Sequence, residues 1–398
     1  MKTLAEIPKI NIPLSKSLLQ RGLLANLLSL GKVDVVAMSN ADDVKVYTGI
    51  KQVFNNFLND KKAVFFVGES GFWARALMGA LPVFGKSFEI DGKGSLLKRD
   101  FSKTKDALGK LGINVNLKDD KYLPAKMSGQ IREATYKIDA SFSSQHVSGL
   151  IFGLTLLNDD TELILQNPVS IPYIKMTIDV LRKTGIDIEF NGVDTVKIFG
   201  NQKFSKVKLS IESDWSGAAF FVVYGLIKEN IILKNIVYPS LQGDADRCIA
   251  LLNYTGAYYN FINSNLYINK GHLLPLKIDL TDNPDLFPPF VVYSMFADGV
   301  SELVGVSRLF NKESNRAEAL INEFNKLGVN ITLDRNKMLI QGGQKIKDNV
   351  SVDSHRDHRI AMALAMAAKI AGVKVDIKNK DSVKKSFPNF FEELSKLK

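Results

Sequence analysis

At 398 residues with 45% apolar side chains, the chain exceeds the size at which a single core keeps growing, so two domains are expected. Its formal charge of +10 calls for anionic partners, yet the basic residues are dispersed among acids without the aromatic interleaving of a nucleic-acid surface, which leaves small phosphorylated or carboxylated metabolites. No window approaches about 18 uncharged apolar residues, and Met1-Lys2-Thr3-Leu4-Ala5-Glu6 lacks the apolar core of a signal peptide, so no membrane partner is expected and the cytoplasm is the expected location.

In chain order, Ile7 to Ile12 is the first expected strand. Ser15-Lys16-Ser17-Leu18-Leu19-Gln20-Arg21 then places two hydroxyls and two cations at a helix start, with Ser17 one turn before Arg21. Such sequences also cap ordinary helices. Asp91-Gly92-Lys93-Gly94-Ser95 lacks the GxxxxGK[ST] spacing, which argues against ATP binding. Ser143-Ser144-Gln145 leads into an apolar run from Val147 to Leu157, and Asp214-Trp215-Ser216-Gly217-Ala218-Ala219 leads into another. The single cysteine, Cys248, sits on a predicted helix beside Ile249, Ala250 and Leu251 and reads as a core residue rather than a nucleophile.

Asp279 to Asp285 puts three carboxylates on a proline-stiffened loop, where a positioned Asp can take a hydroxyl proton. In Lys312-Glu313-Ser314-Asn315-Arg316 the i,i+4 spacing predicts that Lys312 and Arg316 share a helix face with Glu313 beside them. A carboxylate held between cations can shuttle a proton, and the cations can hold an anion; the same pattern also fits a pair in water. Asp357-His358-Arg359 enters a small apolar run that continues to Ala368, so an Arg stands at a helix start whose free N–H groups and dipole favour an anion. The plainer reading is an acidic N-cap with a solvent-exposed Arg359. The four histidines, His146, His272, His355 and His358, are scattered, and His355 and His358 with Asp357 lack a third ligand at the usual spacing, so neither metal nor other cofactor is expected.

Two series of markers recur. Ser144, Ser216, Phe287 and Arg359 follow one another at steps of 72, 71 and 72 residues. Helix-ending glycines at Leu111-Gly112-Ile113, Thr184-Gly185-Ile186, Thr255-Gly256-Ala257 and Leu327-Gly328-Val329 step by 73, 71 and 72, each running into β-rich sequence. One period in two series implies a repeated α/β unit, too large for a solenoid repeat. The chain then ends in mid-unit after Phe387-Pro388. Ile7 to Ile12 would supply the missing strand and bring both ends into one domain; alternatively the last helix is docked on the surface.

These residues reach a known family. The chain resembles the 5-enolpyruvylshikimate-3-phosphate (EPSP) synthases, in order and over essentially its whole length, through Ser15 to Arg21, Gly68 to Leu77, Ser143 to Gln145, Pro172-Tyr173, Asp214 to Ala219, Gln242-Gly243-Asp244, Pro284-Asp285, Lys312 to Arg316, Asp357 to Met362 and Lys385-Ser386-Phe387-Pro388. The resemblance implies a two-domain inside-out α/β barrel, each domain three βαβαββ units with helices inside and sheets outside. Crossovers would fall near Pro13-Leu14 and Ile211-Glu212, so that residues 15–211 form an inserted domain and residues 1–14 plus 212–398 the other. It implies an enzyme, with its substrates between the domains at converging helix N-termini, that transfers the enolpyruvyl group of phosphoenolpyruvate to the 5-hydroxyl of shikimate 3-phosphate without a metal; a monomer is expected, because each domain closes on itself. By motif position, Ser143, Ser144 and Ser170 would hold the shikimate phosphate, Tyr173 the ring, and Ser17 and Arg21 the shikimate carboxylate with Lys312 assisting. Lys16, Gln145, Arg316, Arg359 and Lys385 would line the phosphoenolpyruvate pocket, with Gly71 and Arg75 also binding substrate. Asp285 would take the hydroxyl proton, and Glu313 would exchange one with the methylene carbon.

Departures cluster in one half of the site. The family's Asn-Ala-Gly-Thr-Ala-x-Arg reads Glu69-Ser70-Gly71-Phe72-Trp73-Ala74-Arg75 here, and the Arg expected in the following glycine loop falls on Ser95, where Lys93 or Lys98 could stand in as a point charge. Arg308 replaces the usual Asn four residues before Lys312. Weaker phosphoenolpyruvate binding and an altered response to glyphosate, the family's inhibitor, are expected. Three other readings stay open: a UDP-N-acetylglucosamine enolpyruvyl transferase, which would need a reactive loop Cys; an RNA 3'-phosphate cyclase-like protein, with a His nucleophile and nucleotide binding; and a non-catalytic or altered-specificity homologue that binds shikimate 3-phosphate, suggested by Glu69, Phe72 and Ser95.

Overall fold

Helices Trp215–Ile227, Phe287–Phe296 and His358–Ala371 are buried around almost their whole circumference, which only an interior position permits. In the computed structural model, which describes residues 7–132 and 134–398, they lie in one of two compact units, formed by the chain through Ser15 together with Glu212–Lys398; the other is Lys16–Ile211. Met1 to Glu6, the stretch read for a signal peptide, lies outside the described residues.

One strand order appears four times. Val64–Phe66 pairs parallel with Phe88–Asp91, which pairs antiparallel with Tyr122–Ser128, whose other edge takes Asn114–Lys118. The order repeats in Thr135–Asp139, Thr161–Gln166, Thr195–Ile198 and Ile188–Phe190. In the other unit it repeats from Lys277–Asp279 to Val300–Val304, Lys337–Gln341 and Ile331–Asp334, and again from Lys9–Asn11 to Ile231–Lys234, Asn265–Ile268 and Tyr259–Ile262. Each unit adds a two-stranded parallel sheet: Val33–Val35 with Val207–Leu209, and Val350–Asp353 with Val375–Lys378. The sheets bury one face. Along Tyr122–Ser128, Leu123, Ala125 and Met127 are buried while Lys126 is exposed, the alternation of a sheet with helices on one side and water on the other.

The markers of the period have distinct physical roles. Gly112, Gly185, Gly256 and Gly328 all take positive φ where a helix stops, a conformation that glycine adopts without steric cost. Ser143, Asp214 and Asp357 cap helix starts, each side chain accepting from the backbone N–H two residues on.

The chain ends do share a unit, but not in the expected pairing. The strand at Lys9–Asn11 joins the sheet of Ile231–Lys234, and the last sheet stays two-stranded. The closure runs through side chains instead: Glu393 accepts from Asn11 N (2.9 Å) and Nδ2 (3.2 Å). Nor is the final helix merely docked on the surface, because Phe387 and Phe390 are buried against Phe220 and Phe221.

Candidate active site

In the Lys16–Ile211 unit, helices Gly71–Ala80 and Ser144–Leu154 run parallel at very close approach. A Cβ on Gly79 would stand 2.7 Å from the backbone N of Leu150, and one on Gly149 would overlap the carbonyl of Ala76. Glycine at these positions lets the backbones touch, and the parallel sense sets both helix N-termini side by side. There Arg75 Nη1 donates to Gln145 Oε1 (3.2 Å), with its guanidinium 4.5 Å from the centre of the Phe101 ring. Arg75 thus reaches the first turn of the helix that Ser143 caps and Ser144 and Gln145 open. The dipoles and first-turn N–H groups of two helices add to its positive potential.

Lys16 opens the helix Lys16–Leu28 and pairs with Asp43 Oδ2 at 2.9 Å. The carbonyl of Asp43 accepts from Gln20 Nε2 (3.1 Å) and Trp73 Nε1 (3.0 Å), and Gln20 also donates to Ser70 Oγ, the cap of the Gly71–Ala80 helix. Asp43 thus fixes the ammonium of Lys16 relative to that helix start. It belongs to no motif read from the sequence, and an acid in a short polar stretch gives no signal of its own.

Arg21 is placed differently from the expectation. Its guanidinium is buried beside the Phe72 and Tyr173 rings and donates to Thr177 Oγ1 (2.8 Å), the carbonyls of Ser17 (2.9 Å) and Tyr173 (3.2 Å), and Ser148 Oγ (3.2 Å). Burial holds it down to about 10. In this geometry it sets the backbone positions of Ser17 and Tyr173. Ser170 precedes the helix Ile171–Lys183 in a left-handed conformation, and its carbonyl accepts from Tyr173 N.

The departures from the family pattern touch one another. Glu69 Oε2 accepts from Ser95 Oγ (2.7 Å) and Ser95 N (3.2 Å), so the new carboxylate ties down the loop at the position where an Arg was expected. Lys93 and Lys98 on that loop are exposed.

In the other unit the predicted acid, base and cations meet. Asp285 is gripped on both oxygens, by Arg316 Nη1 (2.9 Å) and Arg359 Nη2 (3.0 Å). Arg316, 1% exposed, also reaches Glu313 Oε2 (3.0 Å) and Asp357 Oδ2 (3.0 Å). Burial alone would raise the Asp285 carboxyl, but Arg359, Lys312 and Arg316 together hold it far below the usual carboxylate range. Arg359 is itself buried, so the reading of a solvent-exposed Arg fails. Asp357 does act as the N-cap, accepting from Arg359 N at 2.9 Å. The same carboxylate binds Arg316 and so positions both arginines, a second role hidden in a residue that reads as a cap. Burial lowers Lys312 to about 8, with the Asp285 charge opposing the shift. Lys385, also buried, donates to the carbonyl of Arg356 (3.0 Å), just before Asp357.

One expectation fails here. Lys312 and Arg316 do not share a helix face, because Asn315 caps the helix Arg316–Lys326 by accepting from Glu318 N. Lys312 and Glu313 lie in the turn before it. Glu313 still meets Arg316, through an i,i+3 ion pair across the cap.

Asp244, at the start of Gly243–Tyr254, is buried and accepts from Ser216 Oγ and from Asn283 Nδ2 (2.8 Å). Burial, then the nearby charge of Asp285, raises it to about 6. Cys248 lies fully buried on the same helix, where burial raises its thiol; it is not a loop nucleophile.

A family model described as EPSP synthase (3-phosphoshikimate 1-carboxyvinyltransferase) matches residues 24–394. A 3-phosphoshikimate 1-carboxyvinyltransferase of Brachyspira hyodysenteriae is 32% identical over 360 residues, 90% of this chain and 84% of that protein. One of Clostridium acetobutylicum is 31% identical over 407 residues, 98% and 94% of the two chains. Among solved structures, EPSP synthase from Acinetobacter baumannii superposes with a TM-score of 0.73 at 21% identity, covering 98% of this chain and 96% of that one. The enolpyruvyl transferase NikO from Streptomyces tendae gives 0.72 at 16%, covering 98% and 94%. The fold is that of these two-domain α/β proteins. A profile spanning nearly the whole chain, together with relatives above 30% identity, places this chain in the EPSP synthase family.

Proposed function

We propose that this chain transfers the enolpyruvyl group of phosphoenolpyruvate to the 5-hydroxyl of shikimate 3-phosphate and releases phosphate, as a monomer in the cytoplasm. Among the described residues no helix is long and apolar enough to cross a membrane. The observation that carries the reading is Asp285 held between Arg316 and Arg359 with Glu313 on the same Arg316. It sets a base, an acid and two anion-binding guanidiniums within one cluster, as a two-step addition and elimination requires.

In the first step the acceptor oxygen bonds to C2 of the donor, Asp285 takes the hydroxyl proton, and Glu313 delivers a proton to the methylene carbon. In the second, the bond from C2 to the phosphate oxygen breaks, the methyl carbon returns its proton to Glu313, and the proton taken from the hydroxyl leaves with phosphate. Asp285 as arranged here is a weak base because two arginines stabilise its charged form. A donor carboxylate that draws Arg359 and Arg316 to itself raises the basicity of Asp285 when both substrates are bound. Ser143, Ser144 and Ser170 serve the acceptor phosphate, Ser17 and Tyr173 as positioned by Arg21 serve its ring and carboxylate, and Lys16, Gln145 and Lys385 serve the donor.

The test is phosphate release that requires both substrates, coupled to detection of the enolpyruvyl ether. One rival retains a specific observation. The Glu69 carboxylate bonded to Ser95 adds negative charge where an Arg was expected, as a homologue that binds shikimate 3-phosphate without turnover would allow. Calorimetric binding of shikimate 3-phosphate with no phosphate release would establish that alternative.

A further inference from the structure

Helix Arg316–Lys326 carries a second buried acid that the mechanism does not use. Glu323 stands two turns beyond Arg316, on the same helix face, and is 2% exposed. Its Oε2 accepts from Asp353 N (2.9 Å) and its Oε1 from His355 Nε2 (2.9 Å), while Lys326 Nζ reaches both oxygens (2.9 and 2.7 Å). Burial alone would raise this carboxyl, but those donors hold it below its ordinary range. Arg316, at the other end of the face, binds Asp357. One helix therefore grips the segment 353–357 at both ends, Glu323 at its start and Arg316 at its finish.

That segment needs holding. His355 and Arg356 take φ of 53° and 56°, and Asp357 N donates to Ser354 O (2.9 Å), which makes a turn with both central residues left-handed. Residues with a Cβ are strained there, so the conformation persists only where the surroundings hold it. Glu323 holds it through the His355 ring, and Asp353 through the backbone: its Oδ1 accepts from His355 N (2.7 Å) and from Asn379 Nδ2 (2.8 Å). The turn ends on Asp357, which caps the helix bearing Arg359, and the carbonyl of Arg356 receives Lys385. The donor-facing cations thus take their positions from one turn, Arg316 and Arg359 through Asp357 and Lys385 through Arg356. We propose that Glu323 is a positioning residue for enolpyruvyl transfer, clamping the turn 354–357 so that these cations meet the donor anion. This assignment rests on the enolpyruvyl-transfer reading.

The test measures kcat, the KM of each substrate and the thermal melt for full-length wild type, Glu323→Ala and Glu323→Gln. Glu323→Ala releases the turn, so the phosphoenolpyruvate KM rises about tenfold and kcat falls, while the shikimate 3-phosphate KM stays within about twofold. Glu323→Gln keeps the reach to Asp353 N without the charge and gives a smaller change. A lower melt with the phosphoenolpyruvate KM unchanged, or equal rises for both substrates, makes Glu323 merely structural and overturns the assignment. Should Glu323→Ala fail to fold, Glu323→Gln is read by the same criterion. A double-mutant cycle that needs no turnover separates this assignment from the functional reading. Asp357→Asn removes the charge that meets Arg316. With the turn released that loss matters less, so the urea midpoint reported by Trp215 in a Trp73→Phe background shifts less in Glu323→Ala than in the parent. Equal shifts overturn the clamp. If wild type turns over nothing, the functional reading has failed, and the cycle alone decides whether Glu323 holds the turn.

Discussion

Between pH 7 and about 4 the unfolded chain protonates His146 while the folded one resists, and the structure dictates which unit suffers. The imidazole is fully buried, stacked on Phe142 with ring centres 4.4 Å apart, and Nε2 donates to the carbonyl of Asp139 (3.0 Å). Burial chiefly, with the charge of Arg75 adding to it and Asp139 opposing, lowers its pKa to about 4. An unfolded His titrates near 6.5, so between these values the unfolded chain binds more protons. The contribution is complete above pH 6.5 and is lost as the pH falls towards 4, which amounts to about 3 kcal/mol. Asp100 and Asp139 in the same unit are lowered carboxylates whose effect sets in at the acid end of this window and grows below it, whereas the raised Asp179 opposes the loss. The chain has two tryptophans, and Trp73 and Trp215 fall one in each unit, both fully buried. Urea unfolding followed by Trp73 fluorescence in a Trp215→Phe background therefore reports the Lys16–Ile211 unit. The same titration with His146→Gln isolates the imidazole: the parent loses about 3 kcal/mol more than the variant between pH 7 and pH 4. Equal losses in the two proteins would refute the argument.

The other unit is expected to respond with the opposite sign, because buried Asp244 is raised to about 6 from an unfolded value of 3.8. Its contribution is present below the unfolded value and is lost as the pH rises through 6, about 3 kcal/mol in all, and Asp244→Asn removes that slope when Trp215 is followed in a Trp73→Phe background. Asp357→Ala removes one of the three carboxylates on Arg316, which keeps Asp285 and Glu313, together with the cap of the His358–Ala371 helix, so a loss of about 2–4 kcal/mol is expected in denaturant unfolding, with turnover abolished. Gly149→Ala forces a methyl into the Ala76 carbonyl; strain of about 1–3 kcal/mol and a separation of the Arg75–Gln145 contact should appear as a lower melt together with a raised phosphoenolpyruvate KM.

What could be read from the sequence was whatever local chemistry writes into it. Glycines that need positive φ, capping hydroxyls and carboxylates, and helices apolar on every side each leave a signature, and their spacing exposed a repeat that appears as four sheets of one strand order. Residues defined by what they touch were harder. Asp357 reads as a cap because capping is local, while its bond to Arg316, 41 residues away, exists only once two repeats are packed together. Asp43 lies 27 residues from Lys16 and meets it only in the folded unit. The misplaced face of Lys312 and Arg316 has the converse cause: an i,i+4 spacing presupposes a helix through all five residues, and Asn315, a better cap than helix former, begins the helix one residue before Arg316. The Glu69–Ser95 pair shows how such a site can depart from its family without losing the fold. A carboxylate and a hydroxyl that look like two separate defects in the sequence make one hydrogen-bonded unit, which ties the loop after Phe88–Asp91 to the residue just before the cap of the Gly71–Ala80 helix.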